Sequence, residues 1–185
     1  SDGFERQWRS RFTRYAFRND DDAGIAGWSL TGLATRYRFF RGHFREKDLG
    51  GVWLDVGCGA GTYTRWLADQ GAQAVGVDYS QLSLEKARER SPQVPAWLAA
   101  DARCLPVGDG SARGVLCFGV TQALSGSEGL VWELTRTLDR NGTLWVDGLN
   151  AWCLANALER WRRRLQGKEV HTRHESPWRL RRLAR

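Results

Sequence analysis

The sequence predicts a doubly wound α/β domain, a mostly parallel sheet of order 3-2-1-4-5 with helices on both faces, and three observations carry that reading. Short apolar runs at 52–56, 74–77, 97–100, 115–118 and 143–146 alternate with helix-forming segments at the interval of βαβ units. The first run opens directly into a glycine-rich loop, Gly57-Cys58-Gly59-Ala60-Gly61. The ends of the first three runs carry an aspartate each, Asp55, Asp78 and Asp101. A sheet of this kind binds ligands in the crevice beside strand 1, so the three acids fall along one crevice.

Residues 1–49 read as an aromatic-rich helical cap. Phe4, Trp8, Phe12 and Tyr15 recur at helical spacing and form one stripe. Asn19 to Asp22 breaks the pattern, and Ser29 or Thr31 is placed to cap a second helix running to about Phe44. The core, residues 50–150, starts with Val52–Val56 as a buried strand, followed by a helix from Thr62 to Gln70 that Gly71 ends. After the second strand, Ser80 caps a helix to about Arg90. The turn Gly108-Asp109-Gly110-Ser111 leads to the fourth strand, Val115–Phe118. Gly129 to Leu138 is helical, Asn141-Gly142 makes a turn, and Thr143–Val146 is the fifth strand. Residues 151–185 form a basic helical segment: a helix over 152–166, a linker over 170–176, and a last helix opened by Ser176-Pro177, since proline suits a first helical turn.

At 185 residues the chain suits one domain. No apolar run is long enough to span a bilayer, and the N-terminus lacks the layout of a signal peptide. Four cysteines, at 58, 104, 117 and 153, show no close pairing, and two lie in apolar, strand-like contexts. Buried, reduced thiols and a cytoplasmic location are the expectation. The net charge is +7, and residues 159–185 carry ten basic and three acidic side chains while 50–158 carry eight and eleven. The excess therefore belongs to the tail, either as the solvated face of an arginine-rich helix or as a patch that steers an anionic partner. A mildly acidic core argues against a nucleic-acid clamp. There is no methionine, and the chain stops inside a helix-like segment, so the sequence is expected to be less than a whole gene product.

The chemistry concentrates in Leu54-Asp55-Val56-Gly57-Cys58-Gly59-Ala60-Gly61. Glycine is needed where the chain turns with positive φ, or where backbone must lie against a ligand. The spacing is G-x-G-x-G rather than the G-x-G-x-x-G of a dinucleotide fingerprint, and an acid precedes it. Asp55 would repel a pyrophosphate and welcome a cationic or amino-bearing ligand. Asp78, 17 residues beyond Gly61, can accept hydrogen bonds from vicinal ribose hydroxyls, and Tyr79 can lie against an adenine face. Asp101-Ala102 can accept from an exocyclic amine. Cys58 occupies a position that needs only a small residue, and no metal-ligand spacing is present.

The stretches Leu54–Gly61, Val75–Ser80 and Ala100–Pro106 closely resemble class I S-adenosylmethionine-dependent methyltransferases, in the branch that acts on small molecules. The resemblance covers roughly residues 50–150 and implies a Rossmann-like fold with S-adenosylmethionine as cofactor. It places Gly57, Cys58, Gly59 and Gly61 in the loop around the cofactor's amino-acid portion, with Asp55 ordering the loop or the ammonium. It assigns Asp78 to the ribose, Tyr79 to the adenine face, and Asp101 with the backbone of Ala102 to the adenine amine. Phe118 and Gly119 would lie under the methionine part. The family usually completes its sheet with two further strands, and this chain ends first.

The expected function is methyl transfer to a small-molecule acceptor on an O, N or C atom. No Asn-Pro-Pro-Tyr sequence follows strand 4 and no Pro-Cys nucleophile occurs, so base-modifying chemistry is disfavoured. An RNA or protein methyltransferase anchored by the basic tail, or a non-catalytic cofactor-binding module, are the rival readings. The glycine spacing speaks against a nicotinamide-dependent oxidoreductase. The acceptor pocket is expected at Trp8, Tyr15, Trp28, Gln122 and Asn150. No general base is assigned: strand 4 is followed by Thr121-Gln122-Ala123-Leu124, and His43, His171 and His174 have no visible partners and are expected to face solvent.

Overall fold

The computed structural model describes residues 2–45, 49–167 and 172–184. Its centre is a five-stranded sheet, β1 (Val52–Val56), β2 (Gln73–Asp78), β3 (Ala96–Ala99), β4 (Ala112–Cys117) and β5 (Leu138–Val146). The strand order is β3-β2-β1-β4-β5, and every pairing is parallel, as the sequence predicts. Successive side chains of a strand point to opposite faces, so β1 must be apolar on both. Leu54 and Val56 pack with Val115 on one side, where α6 (Glu128–Thr137) brings Leu130 and Leu134. On the other side Trp53 packs with Phe40 of α3 (Leu30–His43) and with Tyr63 and Leu67 of α4 (Thr62–Asp69).

The helix α5 (Gln81–Arg90) covers β2 and β3 through Leu84, Ala87 and Trp97. Ser80 caps it as predicted, accepting from Ser83 N–H. Trp97 explains two glycines. A Cβ on Gly61 would sit 2.5 Å from its indole, and one on Gly76 2.3 Å, so both positions must stay bare for the ring to fit beneath the loop.

Ahead of the sheet lie α1 (Asp2–Arg18), α2 (Asp22–Ile25) and α3. The predicted break at 19–22 contains the start of α2, a single turn too short to show periodicity, capped by Asp21 accepting from Gly24 N–H. Ser29 caps α3 through Gly32 N–H. Asp22 fastens this segment to the core, accepting from Thr62 Oγ1 at 2.6 Å and pairing with Arg65 at 2.5 Å and Arg90 at 3.3 Å.

Several boundaries differ from the sequence reading. β3 stops at Ala99, and Asp101 lies in a turn bridged to Cys104. β4 starts at Ala112 and ends at Cys117, leaving Phe118 just beyond it. The Asn141-Gly142 turn is an irregularity inside β5, where Leu138 pairs with Ala112 and Thr143 with Gly114. After β5, β6 (Leu149–Asn150) and β7 (His174–Glu175) form a two-stranded parallel pair. Two-residue strands carry no legible alternation, which is why a linker was expected there. His171 and the first residues of that linker lie outside the described residues. The basic segment supplies α7 (Leu154–Leu165) and α8 (Pro177–Leu183), the latter with Pro177 in its first turn. Cys58 and Cys117 are buried, Cys153 is half-buried, Cys104 is exposed, and all four are unpaired. No helix among the described residues is long and apolar enough to cross a membrane.

Trp53 has no exposed surface, and its ring fills the space in front of Gly114. Trp53→Ala is expected to lower unfolding free energy by about 3–5 kcal/mol, measured by denaturant titration, because the cavity lies at the centre of a close-packed face.

Candidate functional site

Where β1, β2 and β4 end, the chain leaves a cleft with about 1120 Å³ of empty space, part of it open to solvent. The loop after β1 forms its floor. Gly57 and Cys58 donate their N–H groups to Val77 O at 2.7 and 3.0 Å, which holds the loop against β2. Gly57, Gly59 and Gly61 all have positive φ, a conformation that side chains with a Cβ rarely adopt. They differ in what they face. A Cβ on Gly57 would strike Val120 and one on Gly61 would strike Trp97, whereas the space before Gly59 is clear to 3.7 Å. Of the three, only Gly59 has room for a Cβ, which would rest in ordinary contact with Ala26.

Two buried carboxylates set the loop. Asp55 accepts from Thr64 N–H at 3.0 Å and from Thr64 Oγ1 at 2.6 Å, tying the end of β1 to the first turn of α4. Asp78 accepts from Gly59 N–H at 2.9 Å and from Ser80 N–H at 2.8 Å. Burial pushes the Asp55 carboxyl up to about 7, against the pull of the Thr64 bonds and with a further push from Asp78. Burial likewise raises Asp78, against the backbone donors of Ser80 and Gly59. A cationic group placed in the cleft would favour the ionised form of both.

Asp101 behaves differently. Arg103 donates to it through Nη2 at 2.9 Å and Nε at 3.0 Å, and Arg9 of α1 reaches it at 2.8 Å. These guanidinium bonds, Arg103's first, hold its carboxyl down at about 2, so it stays ionised at neutral pH. Arg103 also pairs with Glu5 at 2.9 Å, and Tyr79 donates its hydroxyl to Arg9 O at 3.0 Å. This network seats α1 over the cleft. Trp8 stacks on Phe12 at 5.2 Å, and Phe12 meets the edge of Tyr79 at 6.4 Å, making an aromatic wall.

The structure brings Asp55, Gly57, Cys58, Gly59, Asp78, Tyr79, Asp101, Ala102, Phe118 and Gly119 to the lining of one cleft, with Trp8 and Trp28 from the acceptor set. Gly61 stands behind the loop as the residue before α4. Tyr15, Gln122 and Asn150 are not among the lining residues. The Tyr15 ring packs over Gly27, Gln122 gives its carbonyl to Arg173 N–H, and Asn150 accepts from Trp152 N–H in the β6 turn. Burial raises the Cys58 thiol well above its ordinary value, which keeps it protonated at neutral pH. His43 is exposed, with Nδ1 on Phe39 O, while His174 is half-buried in β7 rather than solvent-facing; neither lines the cleft.

Sequence reasoning missed Tyr63. It is buried, it lines the cleft beside Phe118 with ring centroids 4.8 Å apart, and its hydroxyl has no partner among the described residues. Burial raises its pKa, so it remains a donor. Its place two residues after Gly61 in an apolar-patterned helix gave only a core signal. Glu5, Arg9 and Arg103 were missed because ion pairs between α1 and the β3 turn leave no local pattern.

The raised carboxyl of Asp55 has a direct consequence for stability. Between the ordinary 3.8 and about 7 the folded state holds a proton that the unfolded chain has lost. Its contribution is therefore complete below 3.8 and disappears as pH rises through about 7. Thermal melting of the ligand-free chain is expected to shift downward across that window, and Asp55→Asn should flatten the shift. An equally steep profile in Asp55→Asn would assign the dependence to other groups.

Comparison with known proteins agrees with this geometry. Residues 54–146, half of the chain, match the family model described as a methyltransferase domain. The chain is 32% identical over 108 residues to a bifunctional biotin-biosynthesis protein of Cellvibrio japonicus, an alignment covering 58% of this chain and 22% of that protein. It is 35% identical over 94 residues to a demethylmenaquinone methyltransferase of Beutenbergia cavernae, covering 50% and 38%. The chain thus spans well under half the length of these curated relatives. In fold it is similar to magnesium protoporphyrin IX methyltransferase of Synechocystis PCC 6803, solved with bound S-adenosylhomocysteine, at a TM-score of 0.62, 17% identity, and 98% and 84% coverage of the two chains. With the family model spanning the glycine loop and the strands that build the cleft, the chain belongs to the methyltransferase-domain family.

Proposed function

We propose that the chain transfers the methyl group of S-adenosylmethionine to a small-molecule acceptor. The observation that carries this reading is the convergence of Asp55 in β1, Asp78 at the end of β2 and Asp101 in the turn after β3 on one cleft floored by the glycine loop. Each fits one part of the cofactor. The loop from Gly57 to Ala60, which lines the cleft, suits the amino-acid portion, and the buried Asp55 suits the nearby positive charge. Asp78 uses each oxygen for one backbone donor, leaving lone pairs free for ribose hydroxyls. Asp101 stands beside Tyr79 and Phe12, where four bonds from Arg103 and Arg9 occupy its oxygens, so an adenine amine would take the place of one of these donors. Phe118 and the unpartnered Tyr63 hydroxyl flank the deep end, where Tyr63 would donate to a polar group of the ligand.

The cofactor's sulfonium supplies an electrophilic methyl group. What the chain must add is alignment of the acceptor and exclusion of water, and orientation alone can supply most of the acceleration. Trp8 and Trp28 line the part of the cleft left for an acceptor, with the Arg36 guanidinium 4.1 Å from the Trp28 ring centroid. An aromatic-lined cleft suits a small, partly apolar acceptor. The small-molecule chemistry in the names of the relatives points the same way. The arginines of α7 and α8 are absent from the cleft lining, which speaks against an RNA-anchoring role at the site itself. Four unpaired cysteines support a cytoplasmic location as part of this reading.

Calorimetric titration is expected to show micromolar binding of S-adenosylhomocysteine and none of NAD. Binding of NAD alone, or of neither by a folded sample, would refute the assignment. Asp78→Ala should weaken S-adenosylhomocysteine by about 2 kcal/mol, the scale of lost charged hydrogen bonds. Tyr63→Phe should leave the free protein at least as stable in thermal melting, since it removes a buried unpaired hydroxyl, and still bind the ligand more weakly. Unchanged affinity in either folded variant would take that residue out of the ligand site.

A further inference from the structure

The helix α7 carries its apolar residues on the wrong side for a globular protein. Leu154, Leu158, Trp161 and Leu165 recur at spacings of four, three and four, which places them in one narrow stripe. A stripe of this kind ordinarily faces the core. Here its members are 72%, 56%, 62% and 68% exposed, and Trp152, just before the helix, is 62% exposed. The opposite side holds the helix to the body: Asn156 Nδ2 donates to Asn150 O at 3.1 Å, and Arg160 Nη2 donates to Ala151 O at 3.2 Å. Asn156 and Arg160 are one turn apart, so the helix is tethered by its polar side and turns its apolar side outward.

The charges are arranged to match. At about 100° per residue, Arg162 and Arg164 fall roughly 80° to either side of the stripe, and Arg163 lies behind it. Long arginine side chains in such flanking positions can lie along the helix and lift their guanidinium groups past the apolar face. Leucine and tryptophan on one face with arginines beside them, on a tethered helix, is the composition of a helix that lies in a membrane interface. A second copy of this chain, with arginines flanking the same stripe, would meet like charge on both sides. A phospholipid surface of negative charge offers apolar depth and complementary charge together.

We propose that α7 docks the protein on anionic phospholipid membranes, with Leu154, Leu158, Trp161 and Leu165 entering the interface and Arg162 and Arg164 contacting lipid phosphates. This inference stands on the exposed face of α7 and is independent of the methyl-transfer reading.

The test is flotation of the full chain with vesicles of phosphatidylglycerol mixed into phosphatidylcholine, beside vesicles of phosphatidylcholine alone. Binding to the anionic vesicles is expected to be at least ten-fold tighter, to fall with added salt, and to drop roughly ten-fold or more in Trp161→Glu and in the double variant Arg162→Glu, Arg164→Glu. All these side chains are surface positions, so unchanged thermal melting should accompany the loss. No binding to anionic vesicles, or binding that Trp161→Glu leaves intact, overturns the proposal. A concentration-dependent dimer in sedimentation that Trp161→Glu abolishes, without vesicle binding, would instead assign the stripe to contact between copies.

Discussion

Two carboxylates buried side by side at the ends of β1 and β2 organise everything above them. Asp55 engages the first turn of α4 and Asp78 the amide of Gly59, so the loop between strand and helix is held at both ends before any ligand arrives. Burying two like-charged groups is costly, and the protein meets that cost in part with backbone and hydroxyl donors and in part by leaving Asp55 able to hold a proton. The site is thus shaped in advance and electrostatically incomplete, a combination that favours a ligand bringing positive charge. The other glycines serve this arrangement from behind: Trp97 wedges under the loop only because Gly61 and Gly76 leave room for its ring.

Much of this was legible in the sequence, because it depends on local pattern. Apolar strands of five or six residues alternating with helices announced the parallel sheet and its order. The acids at strand ends and the glycine spacing announced the crevice. What escaped depends on long-range pairing. Arg9 and Asp101 lie 92 residues apart, and nothing in either neighbourhood points to the other. Tyr15 belongs to the same aromatic stripe as Trp8 and Phe12 but turns onto Gly27 instead of the cleft, a distinction that helical spacing cannot make. Gln122 and Asn150 follow β4 and β5, the correct ends of the correct strands, yet they serve the small β6–β7 pair and its turn. Position on an element was readable; direction of the side chain was not.

The glycine loop also shows how one residue type answers different demands. The sequence offered two reasons for these glycines, a positive φ and a close approach of backbone to ligand. All three have positive φ, and packing adds a further demand at two of them, since Gly57 and Gly61 accommodate Val120 and Trp97 while Gly59 leaves room for a Cβ beside Ala26. A motif can therefore record the packing of its own scaffold as much as the shape of what it binds.

One wall of the cleft is a helix fastened by ion pairs along its rim and by a small apolar anchor. The α1 segment contributes Trp8, Arg9 and Phe12 to the lining, and it is attached through the pairs of Arg9 and Glu5, the Ser125 bonds to Glu5, the Tyr79 hydroxyl, aromatic contacts, and buried Ala16 against Ile25 and Ala60. Partly exposed ion pairs of this kind are individually weak, so α1 can part from the core at far lower cost than unfolding the sheet. A molecule in the cleft is bounded on that side by α1, so its residence time depends on how α1 is fastened as well as on how tightly the floor of the cleft grips it.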